Sequence, residues 1–270
     1  MMWKLIKCPD GRIVGWEDCL ACEGTDNCPL RQIRAATFRD LQARLEETEL
    51  LKKRLGVREV FHVTELCHLR YAYFNRTTDY IASWDSVLDY EFGKAYHSWI
   101  ERLFPCVEIP CWVRVNDDFA VVGRADAYDP ETRTLWDFKT YANLFYLDEP
   151  AADHVFQITA YYTMLRDRFV IDRLGLCYVA KTRGRRGEEV PRIKIFYLEP
   201  RENAEFVERA AELFKALRHR KPPSRLTCAD WKCRVGCPFV ELCFDNVNPS
   251  GMPDREIRRL KMRLEGVREG

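Results

Sequence analysis

The stretch Gly123-Arg-Ala-Asp126-Ala-Tyr-Asp-Pro-Glu-Thr-Arg-Thr-Leu-Trp-Asp137-Phe-Lys139-Thr140 constrains the fold more than any other. Asp129-Pro-Glu-Thr132 is a turn signal between two strand-like runs. Folded as a hairpin about that turn, position 126 lies opposite 136 or 137. Side chains alternate along a strand, so Asp137 and Lys139 share one face while Phe138 takes the other. Two carboxylates and an ammonium then converge on one spot. Hard oxygen ligands such as Asp126 and Asp137 suit Mg²⁺ or Mn²⁺, which lowers the pKa of a bound water and offsets charge developing on a phosphoryl group. Lys139 stands where an ammonium orients the water or stabilises that charge. The competing reading is a surface hairpin whose charges happen to alternate, and an isolated Asp-x-Lys is more often that.

The flanking segments carry further polar groups at helical spacing. Thr64 caps an expected helix to about Asn75, and a second covers Trp84 to Leu103. On the second, His97 and Glu101 lie one turn apart on one face, and Phe92, Tyr96, Trp99 and Leu103 mark the buried side. Strands are expected at Val107–Val115, Phe119–Tyr128 and Thr134–Lys139. A helix follows at Ala151–Arg168, with Gln157 and Tyr161 one turn apart. Strands at Leu174–Lys181 and Arg192–Tyr197 and a helix at Glu202–Leu217 complete a compact α/β domain. Alone, His97 is as readily a satisfied core histidine as a metal ligand.

Twelve cysteines among 270 residues is a high count. The start of the chain lacks the pattern of a signal peptide, which argues against a secreted disulfide protein and for a cytoplasmic one. No apolar run approaches the ~20 residues that cross a bilayer, so no membrane partner is expected. Cys8, Cys19, Cys22 and Cys28 fall in a Gly-, Pro-, Asp- and Asn-rich segment with one Cys-x-x-Cys. A tetrahedral Cys₄ Zn²⁺ site satisfies that count and folds a segment too short for its own core; an iron–sulfur cluster is the rival. Cys233, Cys237 and Cys243 form a second set that needs a fourth ligand, for which Cys67 is the natural candidate and Cys228 a possible substitute in the C-terminal trio. Cys106, Cys111 and Cys177 sit in apolar strand-like runs, as core thiols do.

Four units are therefore expected: a metal knuckle at 1–30, a linker helix at 31–60 ended by Gly56, the α/β domain at 61–250, and a basic helical tail at 251–270. The formal net charge of +1 does not announce a nucleic-acid partner. The basic runs Lys181–Gly187, His219–Arg225 and Arg258–Arg263 can neutralise phosphates without reading sequence, or can simply be solvated surface.

The order of these motifs, helix His97, Gly-x-x-Asp126, Trp-Asp137-Phe-Lys139-Thr and Gln157-x-x-x-Tyr161, resembles the RecB-like PD-(D/E)XK nucleases over about Thr64 to Asp245. The resemblance implies a restriction-endonuclease-like mixed sheet flanked by helices. By it, His97, Asp126 and Asp137 match metal ligands and Lys139 the catalytic lysine. Gln157 and Tyr161 match the accessory motif that supports DNA and the lysine. The cysteine arrangement resembles the iron–sulfur branch of that group, which includes CRISPR-associated adaptation nucleases and AddAB-type exonucleases. That implies a [4Fe–4S] cluster on Cys67, Cys233, Cys237 and Cys243, although three residues rather than the usual two separate Cys233 from Cys237. A structural Zn²⁺ site and unliganded thiols are the competing readings there. The implied activity is Mg²⁺- or Mn²⁺-dependent hydrolysis of DNA, by an exonuclease on single-stranded or frayed ends, in CRISPR adaptation beside an integrase or in recombination and repair. A non-catalytic DNA-binding or scaffold subunit is the alternative, and monomer and oligomer both stay open.

Overall fold

The computed structural model describes residues 5–7, 12–15, 18–19, 22, 31–78, 81–82, 84–182, 191–224, 237, 239 and 243. Cys8, Cys28, Cys228, Cys233, most of the basic run after Lys181, Arg225 and the 251–270 tail lie outside them.

A six-stranded mixed sheet organises the chain. Its strands are β3 (Glu59–His62), β5 (Cys106–Arg114), β6 (Phe119–Asp129), β7 (Thr134–Tyr141), β8 (Arg173–Ala180) and β9 (Ile193–Leu198). The path runs β3-β6-β7-β8-β9, with β5 pairing β6 antiparallel. Pro110 sits in β5, which pairs with β6 alone, so the N–H it lacks is not missed. β7 and β8 run parallel and need a crossover, supplied by helix α5 (Ala152–Leu165).

Helices cover both faces. α5 and α6 (Glu205–His219) pack on the larger core, where Leu174, Leu176 and Tyr178 point from β8. α6 buries Phe206, Ala210, Leu213 and Ala216, one stripe at helical spacing. The opposite face is a smaller core of Ile100, Ala127, Phe138 and Cys177, closed by α4 (Trp84–Glu101). Period-2 alternation decides which side each residue takes: Phe138 and Cys177 face α4, so Asp137 and Lys139 face α5. Cys111 and Cys177 are buried, and Cys106 packs against the larger core.

Three details depart from the sequence reading. First, the helix expected from Thr64 to Asn75 is two, α2 (Val63–Leu66) and α3 (Leu69–Thr77). His68, at φ −143° and ψ 79°, breaks the run, and Thr64 lies inside α2 rather than capping it. The carboxylate of Glu65 instead accepts from the N–H of His62 at 2.9 Å. Second, α4 turns a different face inward. Phe92, Trp99 and Leu103 are 62%, 58% and 65% exposed, while Tyr96, Ile100 and Phe104 pack against Phe138 and Cys177. Third, β1 (Leu5–Lys7) pairs with β2 (Ile13–Gly15) and, in parallel, with β4 (Ile81–Ala82), forming a three-stranded sheet.

Helix α1 (Arg31–Leu55) ends at Gly56, whose φ of 64° is the left-handed conformation a glycine adopts freely. α1 lies against α4: Thr37 Oγ1 donates to Glu91 Oε1 at 2.5 Å, and Lys94 pairs with Asp40. Among the described residues no helix is long and apolar enough to cross a membrane.

Candidate active site

The site forms where the sheet divides. β6 pairs with β7 only from Asp129↔Thr134 to Ala127↔Trp136, a register that continued would set Asp126 opposite Asp137. There the two strands part. Farther along, β6 takes β3 as its neighbour on the side away from β5, from Val122 to Phe119. Residues 123–126 thus span a gap with no strand on that side. The Asp126 carboxylate fills the first missing rung: its Oδ2 accepts from the backbone N–H of Phe138 at 2.7 Å.

Asp137 is fully buried and Asp126 is 7% exposed. Lys139 Nζ lies 2.8 Å from each carboxylate oxygen of Asp137, donating its hydrogen bond to Oδ1. Asp137 Oδ2, buried, receives that charge but no aligned hydrogen bond. Burial, reinforced by the charge of Asp137, raises the Asp126 carboxyl well above its ordinary pKa. Burial pulls the Lys139 ammonium the other way, but the charges of Asp137 and Asp126 outweigh it and hold its pKa above the ordinary value. His97 reaches in from α4, its Nδ1 3.6 Å from Asp126 Oδ1. Burial, then the Lys139 charge, lowers its pKa, which favours the neutral imidazole that can offer a lone pair.

From the other side comes α5. Gln157 Nε2 donates to Tyr161 Oη at 2.8 Å, both side chains being buried. Burial and the charges of Asp137 and Asp126 push the Tyr161 phenol well up. Gly123 makes room for it: a Cβ there would meet Tyr161 Cε1 at 2.4 Å. The glycine of the Gly-x-x-Asp motif is therefore a packing requirement.

Three residues that the sequence reading missed adjoin Lys139. His154 lies one turn before Gln157, and its pKa falls to about 4 through burial and the Lys139 charge. Its Nδ1 is 3.0 Å from the hydroxyl of Tyr178, which stands opposite Lys139 on β8. The Tyr141 ring packs edge-on to both. The i, i+3, i+7 spacing of His154, Gln157 and Tyr161 was the available signal.

Asp126 and Asp137 offer hard oxygen donors of the kind a divalent cation takes, one oxygen lacking a hydrogen bond, and the His97 imidazole lies 3.6 Å from Asp126. Among the described residues, no group of three or more His, Cys, Asp or Glu side chains is gathered to hold a metal ion.

Three of the predicted cluster cysteines are described. Cys67 lies between α2 and α3, its Sγ 3.5 Å from the carbonyl of Asp153. Cys237 and Cys243 are buried in the larger core. The Phe239 ring packs on Tyr71 and Phe74 of α3, with centroids 5.3 and 6.0 Å away. Arg70, also on α3, donates from Nε to Cys243 Sγ at 3.0 Å. Phe239 and Cys243 thus lie against the helix that follows Cys67. In the N-terminal set, Cys19 is buried and Cys22 exposed.

No family model matches this chain, and no curated relative does. Among solved structures, the crystal structure of SSO0001 is 19% identical, with 76% of this chain and 96% of that chain covered and a TM-score of 0.49. A phage related exonuclease from Haemophilus somnus 129PT is 13% identical over 56% of this chain and 78% of its own, with a TM-score of 0.32.

Proposed function

We propose that the chain is a metal-dependent deoxyribonuclease, an exonuclease acting on single-stranded or frayed DNA ends. One observation carries this reading. β6 and β7 separate at Asp126 and Asp137, so two buried carboxylates and Lys139 meet in a gap of the sheet. Burial and the charge of Asp137 hold the Asp126 carboxyl well above its ordinary pKa, and buried acid pairs of this kind concentrate at functional sites.

Asp126 and Asp137, with His97 beside them, would hold Mg²⁺ or Mn²⁺. Such an ion, when bound, lowers the pKa of a coordinated water and offsets charge on the scissile phosphate. The chain supplies the rest. Lys139, kept protonated by Asp137 and Asp126, presents positive charge where the attacked phosphate gains negative charge. Its position is fixed by the strand and by its bond to Asp137, so little reorganisation is needed during reaction. Tyr161, locked by Gln157 and seated on Gly123, is a buried, fixed side chain on the α5 face.

For the thiols, [4Fe–4S] ligation by Cys67, Cys233, Cys237 and Cys243 remains the proposal, supported by the docking of Phe239 and Cys243 on α3. Its role would be a staple between distant parts of the chain. For Cys8, Cys19, Cys22 and Cys28 the proposal is structural Zn²⁺. An integrase or recombination protein is the partner that such end-processing would serve.

The test is direct. Strands labelled at the 5′ or the 3′ end are incubated with Mn²⁺ or Mg²⁺, with the wild type and Lys139→Ala side by side. The wild type shortens the strand from one end, and the variant is slower by about a thousandfold, as expected for the loss of several kcal/mol of electrostatic stabilisation. Equal inertness of the two proteins refutes the nuclease reading. Elemental analysis of the same preparation reads iron and zinc per chain.

A further inference from the structure

Beside Lys139 stands a histidine that the acid pair does not engage. His154, Gln157 and Tyr161 occupy one face of α5, but only His154 keeps access to the outside. Gln157 and Tyr161 are buried and bonded to one another, whereas the His154 side chain is 15% exposed.

The surroundings fix its chemistry. Tyr178 Oη accepts from the backbone N–H of Ala151 at 3.2 Å, so that the phenol proton is left to donate. The neighbour in reach is Nδ1 of His154, at 3.0 Å. With Nδ1 as acceptor, the ring proton sits on Nε2. That N–H finds no partner in Asp153, whose Oδ1 is 4.0 Å away. Tyr141 packs edge-on to the imidazole and to the Tyr178 ring, which holds the plane of the donor. Lys139 nearby disfavours a second cation, so the group acts as a neutral donor.

We infer that the Nε2–H of His154 donates to a non-bridging phosphate oxygen of the nucleic-acid strand held at Lys139. A phosphodiester oxygen is the acceptor such a pair suits: an anion for the ammonium and a lone pair for the imidazole. The inference rests on the nuclease reading above. It makes His154 a substrate contact and Tyr178 a positioning residue that acts through it.

Single-atom substitution in the substrate tests this. A single strand carries one phosphorothioate at the linkage the wild type cuts, each diastereomer being assayed separately. Mn²⁺ is used because it tolerates sulfur better than Mg²⁺ does, which leaves the protein's own donor as the source of discrimination. Sulfur is a weak acceptor, so the wild type slows on one diastereomer by roughly tenfold, the scale of one hydrogen bond. His154→Ala cleaves both diastereomers at one reduced rate. His154→Gln, whose amide nitrogen replaces Nε2, restores part of the discrimination, and Tyr178→Phe weakens it. A variant that has merely lost structure slows on both diastereomers and still discriminates. If His154→Ala and His154→Gln both discriminate as the wild type does, the contact is refuted and the nuclease reading stands. If the wild type and Lys139→Ala leave every strand intact, the nuclease reading falls and this inference with it.

Discussion

The Oδ2 atom of Asp126 accepts the backbone N–H of Phe138 at 2.7 Å, at the point where β6 and β7 part. One carboxylate thus replaces a missing ladder bond and also forms half of the acid pair. The two roles have opposite signs for stability. The hydrogen bond satisfies a buried donor, whereas the charge is opposed by burial and by Asp137. Asp126→Asn keeps an acceptor for Phe138 and deletes the charge; it should stabilise the metal-free protein by about 1 kcal/mol or more while abolishing activity. Asp126→Ala leaves the Phe138 N–H unsatisfied, at a cost of about 1–3 kcal/mol. Urea unfolding of both variants in EDTA checks this. An Asn variant less stable than Ala would show that the repulsion is not felt in the folded protein.

Gly123 and Tyr161 should be energetically coupled. An alanine Cβ at 123 would meet the Tyr161 ring at 2.4 and 2.9 Å, with Cys111 Sγ at 3.2 Å behind it. The ring is buried and tied to Gln157, so it cannot swing clear cheaply. Gly123→Ala should therefore cost about 2–3 kcal/mol, as overpacking does. Tyr161→Leu costs on its own, yet the double variant should lose less than the two single losses combined, by at least about 1 kcal/mol. A double-mutant cycle from thermal or urea unfolding measures the difference, and strict additivity would rule the contact out.

The hairpin is where sequence and structure agree most closely, because register follows from chemistry on a short stretch. A Pro-containing turn and period-2 alternation place position 126 opposite 136 or 137 without knowledge of any other element, and the observed register points to 137, although the pairing itself ends at Ala127↔Trp136. Other features depended on distant partners. β1 and β4 are three and two residues long and pair across the chain, so neither carries a pattern of its own. The inward face of α4 differs from the expected one because the apolar stripe Phe92, Trp99, Leu103 is as regular as the one that is buried. What chooses between them is Phe138 and Cys177 on the sheet below. His154 and Tyr178 are far apart in sequence, and Tyr178 lies in an apolar strand that reads as core. Their hydrogen bond exists only because α5 crosses from β7 to β8.

Glu65 and Arg76 predict how stability depends on acid. Arg76 Nε and Nη2 each donate to one oxygen of Glu65 at 2.8 Å, and the His62 N–H adds a third bond. Burial alone would raise the Glu65 pKa, but Arg76 and His62 outweigh it and hold it below the ordinary 4.5. A depressed carboxylate contributes stability that is present above 4.5 and is lost as pH falls through the folded value. Glu65→Gln removes that charge and, among the described residues, leaves Arg76 with only Glu59 as an ionic partner. At neutral pH it should be less stable than the wild type by about 3 kcal/mol, as when a buried pair is broken. The gap should narrow as pH drops below 4.5, because the wild type then also loses the charge. Unfolding curves at pH 7 and below 4 read both, and a gap that did not change with pH would contradict the assignment.

Arg70 supplies the last prediction. Arg70 is 2% exposed, and its guanidinium donates to Cys243 Sγ, to the carbonyl of Cys243 at 3.2 Å and to that of Pro223 at 2.6 Å. Among the described residues it has no carboxylate partner. One side chain thus ties residues 223 and 243 to α3. Arg70→Met keeps much of the apolar bulk and removes every donor, leaving buried carbonyls unpaired; it should cost about 3 kcal/mol. Arg70→Lys restores the charge but not the fork, and should recover less than half. The loss should be local first, with faster proteolysis beyond Pro223 than within the sheet. On the cluster proposal, iron content should fall in step with that cleavage, since Cys243 is then no longer held against α3. An Arg70→Met protein with wild-type stability and an unchanged cleavage pattern would mean that the segment is held by Phe239 packing alone.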